Sequence, residues 1–522
     1  MRASALVLAL AAAASAAVAA DVELDAQERD GQRIYLEAAS PSGAAISARI
    51  GMGGLDLSGR TAACGNCHGE DGRGRAEGGI VPSNIVWSEL TRPYGHRHAD
   101  GRRHGPYDEQ SLRRALLDGV DPDGNRLEGA MPRYSMSAKD LGALVAYLKK
   151  LERVLDPGLG EGSIRIGTLL PLTGPLAAMG ESVRDLLSAH FAALNERGGI
   201  HGRRLELEVV PLPGDGPQAR AATRRLLEQG RVFAVIAPFS VGVEAELSSA
   251  AAAAQVPVLG PLTLFPEDVH ASNQLVFHVL PGVVELAQVL ARHAAGEPGL
   301  ADRPIALLHP PTAGGQATAE AVRARLTQAG WRDTPSRPLP STASAPKLAG
   351  ELRSLGVGAV LVLGTGGDIA ALAREGARTG WTPQLLLPGP LAGREIFDLP
   401  AAFRDRVALA YPSSPTDQRS DALRDFAALG QGRAAARGHL PVQQAAYAAS
   451  LLLVEGLKRT GRDLSRRKLV ATLETVRGFD TGLVPPLSYN ADRRIGAMGA
   501  YLVAVDLAQK RLVALGAYRR LP

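Results

Sequence analysis

The chain has 522 residues, 45% of them hydrophobic and 21% charged, which is room for two or three domains with cores of ordinary size. Its 58 basic and 53 acidic side chains leave a net charge of +5 without a dense basic run, so no nucleic acid partner is expected. Two cysteines exclude a disulfide-built scaffold, and stability must come from burial.

At the start, Arg2 precedes an alanine-rich apolar run that ends at Val18-Ala19-Ala20 before Asp21-Val22-Glu23. The small residues suit an export signal peptide over residues 1–20, cut after Ala20, and the run is too short to span a bilayer. No later segment reaches about eighteen uninterrupted apolar residues, so the processed protein is expected in the periplasm without a transmembrane segment.

Residues 21–153 form the first expected domain. Asp25 to Ala39 has apolar residues at helical spacing, and Ser137 to Leu151 is its counterpart, with Ser137 and Asp140 as an N-cap pair and Leu141, Leu144, Val145 and Leu148 as one stripe. Between them lies Cys64-Gly65-Asn66-Cys67-His68. Two thiols at this spacing can add across the two vinyl groups of a haem, and the adjacent imidazole can then ligate the iron. A redox dithiol or half a zinc site is the competing chemistry, but the chain has no further cysteine to complete a zinc site. One covalently attached haem c is therefore expected, held by Cys64 and Cys67, with His68 as the proximal ligand.

The order of parts, two terminal helices around this motif and a glycine-rich turn from Gly69 to Gly74, resembles the class I cytochromes c. That resemblance places a distal methionine shortly before the last helix. Met131, in Gly129-Ala130-Met131-Pro132-Arg133-Tyr134, is the candidate and Met136 its rival, with a bis-histidine site through His96, His98 or His104 as a further option. Trp87, Tyr94, Tyr107 and Tyr134 are candidates to line the haem edge.

Pro157 and the glycines of residues 154–162 forbid a continuing helix and make that stretch a linker by composition. From Ser163 onward strands and helices alternate. Strands are expected at Ile164 to Leu170, Leu205 to Val210, Val232 to Ala237 and Val256 to Gly260, with helices at Ser182 to Asn195, Gln218 to Gln229 and Val243 to Ala254. Further strands at Ile305 to His309, Ala359 to Leu363 and Gln384 to Leu387 start a second series, so two parallel-sheet lobes with a cleft between them are expected.

Ile164-Arg165-Ile166-Gly167, Gly174-Pro175, Gly180 and Leu194-Asn195-Glu196-Arg197-Gly198-Gly199-Ile200-His201-Gly202-Arg203 resemble the opening of the type I periplasmic solute-binding proteins, the leucine/isoleucine/valine-binding family. The fold class is then multidomain: an all-α cytochrome c domain followed by an α/β periplasmic-binding fold over residues 163–522. The resemblance implies two Rossmann-like lobes that close on a small ligand by hinge motion. Lobe one would take about 163–282 and 418–475, and lobe two about 283–417 and 476–522. Carried over position by position, the ligand residues are Thr173, Met179, Phe239, Ser240, Leu262, Thr263, Leu264, Thr365, Pro390 and Leu391. Ser240 and Thr263 could donate to an anion. The acidic residue that amino-acid binders of this family use is absent at Pro390 and Leu391, so the pocket suits a small carboxylate, aromatic or alcohol-derived compound better than an ordinary amino acid.

Two functions follow. One is a periplasmic electron carrier that couples solute binding to electron transfer with a dehydrogenase or another cytochrome; the other is the substrate-binding component of an ABC transporter, with a permease partner and an accessory cytochrome. No nucleophile and base constellation is present, so no enzyme activity is expected.

Overall fold

The structure, a computed structural model, describes residues 24–50, 54–74, 82–98, 101–153, 155–214, 216–266, 274–300, 302–331, 334–430 and 439–521. The expected signal peptide lies outside the described residues. The chain divides into two compact units, Met1–Leu155 and Asp156–Pro522.

In the first unit, helix α1 (Ala26–Glu37) starts at a capping box between Asp25 and Glu28. Helices α2 (Gly65–His68) and α3 (Trp87–Leu90) are single turns, α4 (Glu109–Leu117) is capped by Asp108, and α5 (Ala138–Leu148) is capped by Ser137. α5 is followed by a short 3-10 turn over Leu151–Arg153, so the terminal helix ends with its apolar stripe at Leu148 and not at the expected Leu151. α1 and α5 cross at Gly31. A Cβ there would stand 2.0 Å from the Ala143 carbonyl oxygen, so the two backbones approach as only glycine permits. Tyr35 and Tyr147 pack beside the crossing with ring centroids 5.5 Å apart. The unit also carries small antiparallel sheets that the sequence did not suggest. Strand β1 (Ser47–Ile50) lies between β2 (Leu55–Ser58) and, later in the chain, Arg133–Ser135, while β3 (His96–Arg97) pairs with β4 (Arg103–His104). We number Arg133–Ser135 β5.

In the second unit, β6 (Ser163–Leu170), β7 (Arg204–Pro211), β8 (Ala234–Ile236), β9 (Val258–Leu259) and β10 (Val276–Phe277) form one parallel sheet in the order β10-β9-β8-β6-β7. Helices α6 (Ala177–Glu196), α7 (Gly216–Arg224) and α8 (Glu244–Ala254) accompany it. The second sheet has the order β12-β11-β13-β14-β15-β16-β17, from β11 (Ile305–His309), β12 (Ser336–Pro338), β13 (Ala359–Val362), β14 (Gln384–Pro388), β15 (Val407–Tyr411), β16 (Gly499–Asp506) and β17 (Arg511–Ala514). It is parallel from β12 to β15 and antiparallel beyond, where β18 (Arg519–Arg520) also pairs with β16. The helices of this lobe are α9 (Val283–Ala295), α10 (Ala313–Gln328), α11 (Ala345–Ser354), α12 (Gly366–Thr379) and α13 (Gly389–Ala392). α14 (Ser420–Leu429), α15 (Leu440–Thr460) and α16 (Arg466–Glu474) return to the first lobe, where Leu452, Leu469 and Leu473 join its core.

Two boundaries differ from expectation. Residues 476–497 were expected in lobe two, but Val476, Val484, Leu487, Tyr489 and Ala497 are buried in the core of lobe one. The chain therefore crosses for the last time just before β16. The expected linker is also not free. Leu159 is buried in the same core and pairs with Ile164, and Asp156 accepts a hydrogen bond from the Arg466 backbone, so Asp156–Gly162 folds as part of the second unit.

At the first crossing, His278 pairs with Ile495 and its carbonyl accepts the Tyr489 hydroxyl at 2.9 Å. Arg494 lies over the Phe277 ring at 4.8 Å and bonds Glu474 at 2.6 Å, its guanidinium almost wholly buried. A buried cation with both a carboxylate and a ring face is satisfied, which lets this passage stay closely packed.

Candidate haem and ligand sites

The short helix α2 presents the motif. Cys64 is buried, Cys67 is exposed and His68 is buried. Burial pushes the Cys64 thiol up to about 11, so before attachment it stays protonated at neutral pH. The Cys64 thiol faces the Tyr134 oxygen at 3.6 Å, and the Tyr134 hydroxyl donates to the Ala62 carbonyl at 2.8 Å. The His68 Nδ1 lies 2.9 Å from the Ser83 carbonyl. Only a protonated Nδ1 can bond a carbonyl, so the neutral ring must carry its lone pair on Nε2. Burial lowers the His68 pKa and favours that neutral form. This orientation by a backbone acceptor is what an imidazole ligand to iron needs, and with the thiol pair beside it the residues fit a haem c.

Met131 and Met136 are both half-buried against the core that contains Cys64. They differ in support. Arg133 donates to the carbonyls of Met131 and Leu127, which ties the loop carrying Met131 to β5. The histidine alternative is not laid out as a free ligand. His98 Nε2 and His104 Nε2 lie 3.0 Å apart, His104 Nδ1 bonds the Gly105 carbonyl at 2.7 Å, and His96 Nε2 bonds the Glu89 carbonyl at 2.6 Å. Both nitrogens of His104 are thus engaged. Of the aromatic candidates, Tyr134 and Tyr107 are buried in this core and Trp87 borders it, whereas Tyr94 is 96% exposed.

In the second unit the structure gathers part of the expected ligand set. Phe239 pairs with Leu262, and the Ser240 N–H donates to the Leu262 carbonyl at 3.2 Å, so Phe239, Ser240, Leu262 and Thr263 form one ledge at the ends of β8 and β9. Leu264, in the segment after β9, and Leu391, in α13 of the second lobe, border the same core as Met498. Met179 is buried at the start of α6. Thr173 and Pro390 are exposed, and no bond ties the Thr173 side chain to the turn that follows it. Thr365 stands at the start of the second lobe's α12. It is exposed and closes a capping box with Asp368, so its hydroxyl serves the helix.

Two neighbours of these loops were not singled out from sequence. Glu244, in the first turn of α8, accepts from the Thr263 hydroxyl at 2.7 Å and from the Gly242 N–H at 2.8 Å. Tyr411, the last residue of β15, packs its ring on Gly389, where a Cβ would stand 2.5 Å away. The signal for both was their place just after or at the end of a strand, where such folds put ligand contacts.

A periplasmic binding protein family model matches residues 163–511, and a cytochrome c family model matches residues 59–152. The chain belongs to the periplasmic binding protein family. It is a fusion, with a cytochrome c domain ahead of the binding fold; that domain implies haem c. Among similar proteins, the Leu/Ile/Val-binding protein BraC3 of Rhizobium johnstonii is 27% identical over 172 residues, 33% of this chain and 46% of that one. Leu/Ile/Val-binding protein homolog 7 of Brucella melitensis biotype 1 is 26% identical over 238 residues, 43% of this chain and 58% of that one. The chain spans about half the length of the curated relatives it matches. Among solved structures, an ABC transporter substrate-binding protein of Aeropyrum pernix aligns with a TM-score of 0.54 at 16% identity, covering 69% of this chain and 97% of that one. A branched-chain amino acid ABC transporter protein of Thermus thermophilus with bound valine aligns with a TM-score of 0.52 at 16% identity, covering 70% and 98%. These structures share the fold. Among the described residues no helix is long and apolar enough to cross a membrane.

Proposed function

We propose that this chain is a periplasmic electron-transfer protein with a fused solute-binding module, carrying one haem c attached through Cys64 and Cys67. The observation that carries the reading is the His68 ring, buried and held through Nδ1 by the Ser83 carbonyl directly beside the paired thiols. When bound, the haem supplies a one-electron ferric/ferrous couple. His68 Nε2 and the Met131 thioether would hold the iron, and Arg133 positions the Met131 loop through two backbone carbonyls. A thioether ligand would stabilise the reduced state, which suits electron transfer. The second unit holds a small solute between its lobes, with Ser240 and its neighbours as contacts, and the protein exchanges electrons with a periplasmic dehydrogenase or another cytochrome.

Mass and optical spectra of the matured protein test the first part: the mass of one haem and a low-spin spectrum, both lost in Cys64→Ala/Cys67→Ala, are expected. Colourless material with the mass of the bare chain would sink it. Coupling is tested by the midpoint potential with and without solute, and identical potentials for every solute that binds would reject it.

The relatives favour a second reading, a transport receptor with a permease partner, since they are named as Leu/Ile/Val-binding proteins. Under that reading, solute uptake survives His68→Ala.

A further inference from the structure

The ledge formed by Ser240 and Thr263 is where a ligand carboxylate would be expected, yet a carboxylate of the chain already sits there. The Thr263 hydroxyl donates its one proton to Glu244 Oε1 at 2.7 Å and accepts from the Phe265 N–H at 2.9 Å. It has no proton left for an anion. The Gly242 N–H is likewise spent on Glu244 Oε2 at 2.8 Å. Thus two donors beside the start of α8 are turned inward. No described ion pair includes Glu244; the nearby Arg224 pairs with Glu246 instead, at 3.0 Å. Beside it, the Ser240 hydroxyl is 1% exposed and has no hydrogen-bond partner among the described residues. A buried hydroxyl left unpaired is costly unless something arrives to bond it.

We propose that this site selects a solute that presents a hydrogen-bond donor, an ammonium or a hydroxyl group, to Glu244 and Ser240, and that it rejects carboxylates. The proposal rests on the solute-binding reading above and names the chemical class for that same site. An incoming carboxylate would meet a fixed negative charge and find the threonine and backbone donors committed. An ammonium or hydroxyl would donate to the free lone pairs of Glu244 while its own oxygen, if it has one, accepts from Ser240. Specificity then comes from the charge that the site already holds.

The test uses the full chain, calorimetric titration, and two probe series that share a skeleton and differ in head group: isoamylamine, isoamyl alcohol and isovalerate, and benzylamine, benzyl alcohol and benzoate. In each series that binds, the amine or the alcohol is expected to bind and the carboxylate not, and the comparison of amine with alcohol tells ammonium from hydroxyl. In Glu244→Gln, amine affinity should fall by at least about tenfold and the carboxylate should gain on it. Tighter binding of a carboxylate than of its partners by the unaltered protein, or an unchanged ranking in Glu244→Gln, overturns the proposal alone. Silence of all six probes with both folded proteins counts against the solute-binding reading and removes the proposal with it.

Discussion

Tyr134 donates its phenol hydrogen to the Ala62 carbonyl at 2.8 Å while its oxygen stands 3.6 Å from Cys64 Sγ. It therefore ties β5, the strand that follows the Met131 loop, to the turn that leads into the thiol pair. Tyr134→Phe keeps the ring in the core and leaves the carbonyl without this partner, so a loss of about 1 kcal/mol in the denaturant unfolding of the first unit is expected. An unchanged unfolding midpoint would show the bond to be idle.

The two methionines separate spectroscopically. Met131→Ala should abolish the thioether-to-iron absorption and lower the midpoint potential, while Met136→Ala should keep both and lose only some core packing. The reverse pattern would transfer the distal role to Met136.

Gly31→Val should prevent α1 and α5 from crossing at their present distance, because even the first side-chain carbon collides with the Ala143 carbonyl. Overpacking of this kind costs on the order of 1–3 kcal/mol, and more where backbone is the obstacle. Far-ultraviolet circular dichroism and denaturant titration of the matured protein would register the loss, and a variant as stable as the parent would contradict the crossing.

Acid should weaken the second unit in part through His278. Burial pushes its pKa from about 6.5 down to about 3. Above pH 6.5 both folded and unfolded forms hold the ring neutral, and its contribution is constant. As pH falls from there toward 3, the unfolded chain takes up a proton that the folded one refuses, so stability drops by up to about 1.4 kcal/mol per pH unit. His278→Gln cannot titrate, and its melting temperature should fall less steeply over that window than the parent's.

Thr365→Ala should remove a helix cap and cost about 1 kcal/mol in the unfolding of the second unit, without altering the affinity for any solute that binds. A loss of affinity at full stability would place Thr365 in the ligand set.

The terminal helices of the first unit were legible from their apolar spacing and, for the last one, from its Ser137 cap; the Asp25 cap of the first emerged only in the structure. The opening strands of the second unit were legible because buried parallel strands are short continuous apolar runs. β1 and β5 were not, since apart from Ile50 their residues are charged, small or aromatic, and the strands form by pairing with one another. Residues 476–497 were expected in lobe two, and only the burial of Val476, Val484, Leu487, Tyr489 and Ala497 in the first lobe's core reveals which lobe owns them. In the ligand region, position along the chain correctly brought Phe239, Ser240, Leu262 and Thr263 together, because each follows a strand of the same sheet. What a hydroxyl is bonded to cannot be read from its position. That is why Glu244 passed unnoticed.

The docking of Leu159 beneath the first lobe dictates how the protein can be dissected. Removing everything before Ser163 would empty a filled hydrophobic seat and strip Ile164 of a backbone companion, leaving a receptor fragment prone to misfold. A cut between Leu155 and Asp156 keeps that plug in place, so the severable joint of this fusion falls several residues earlier than its glycines advertise.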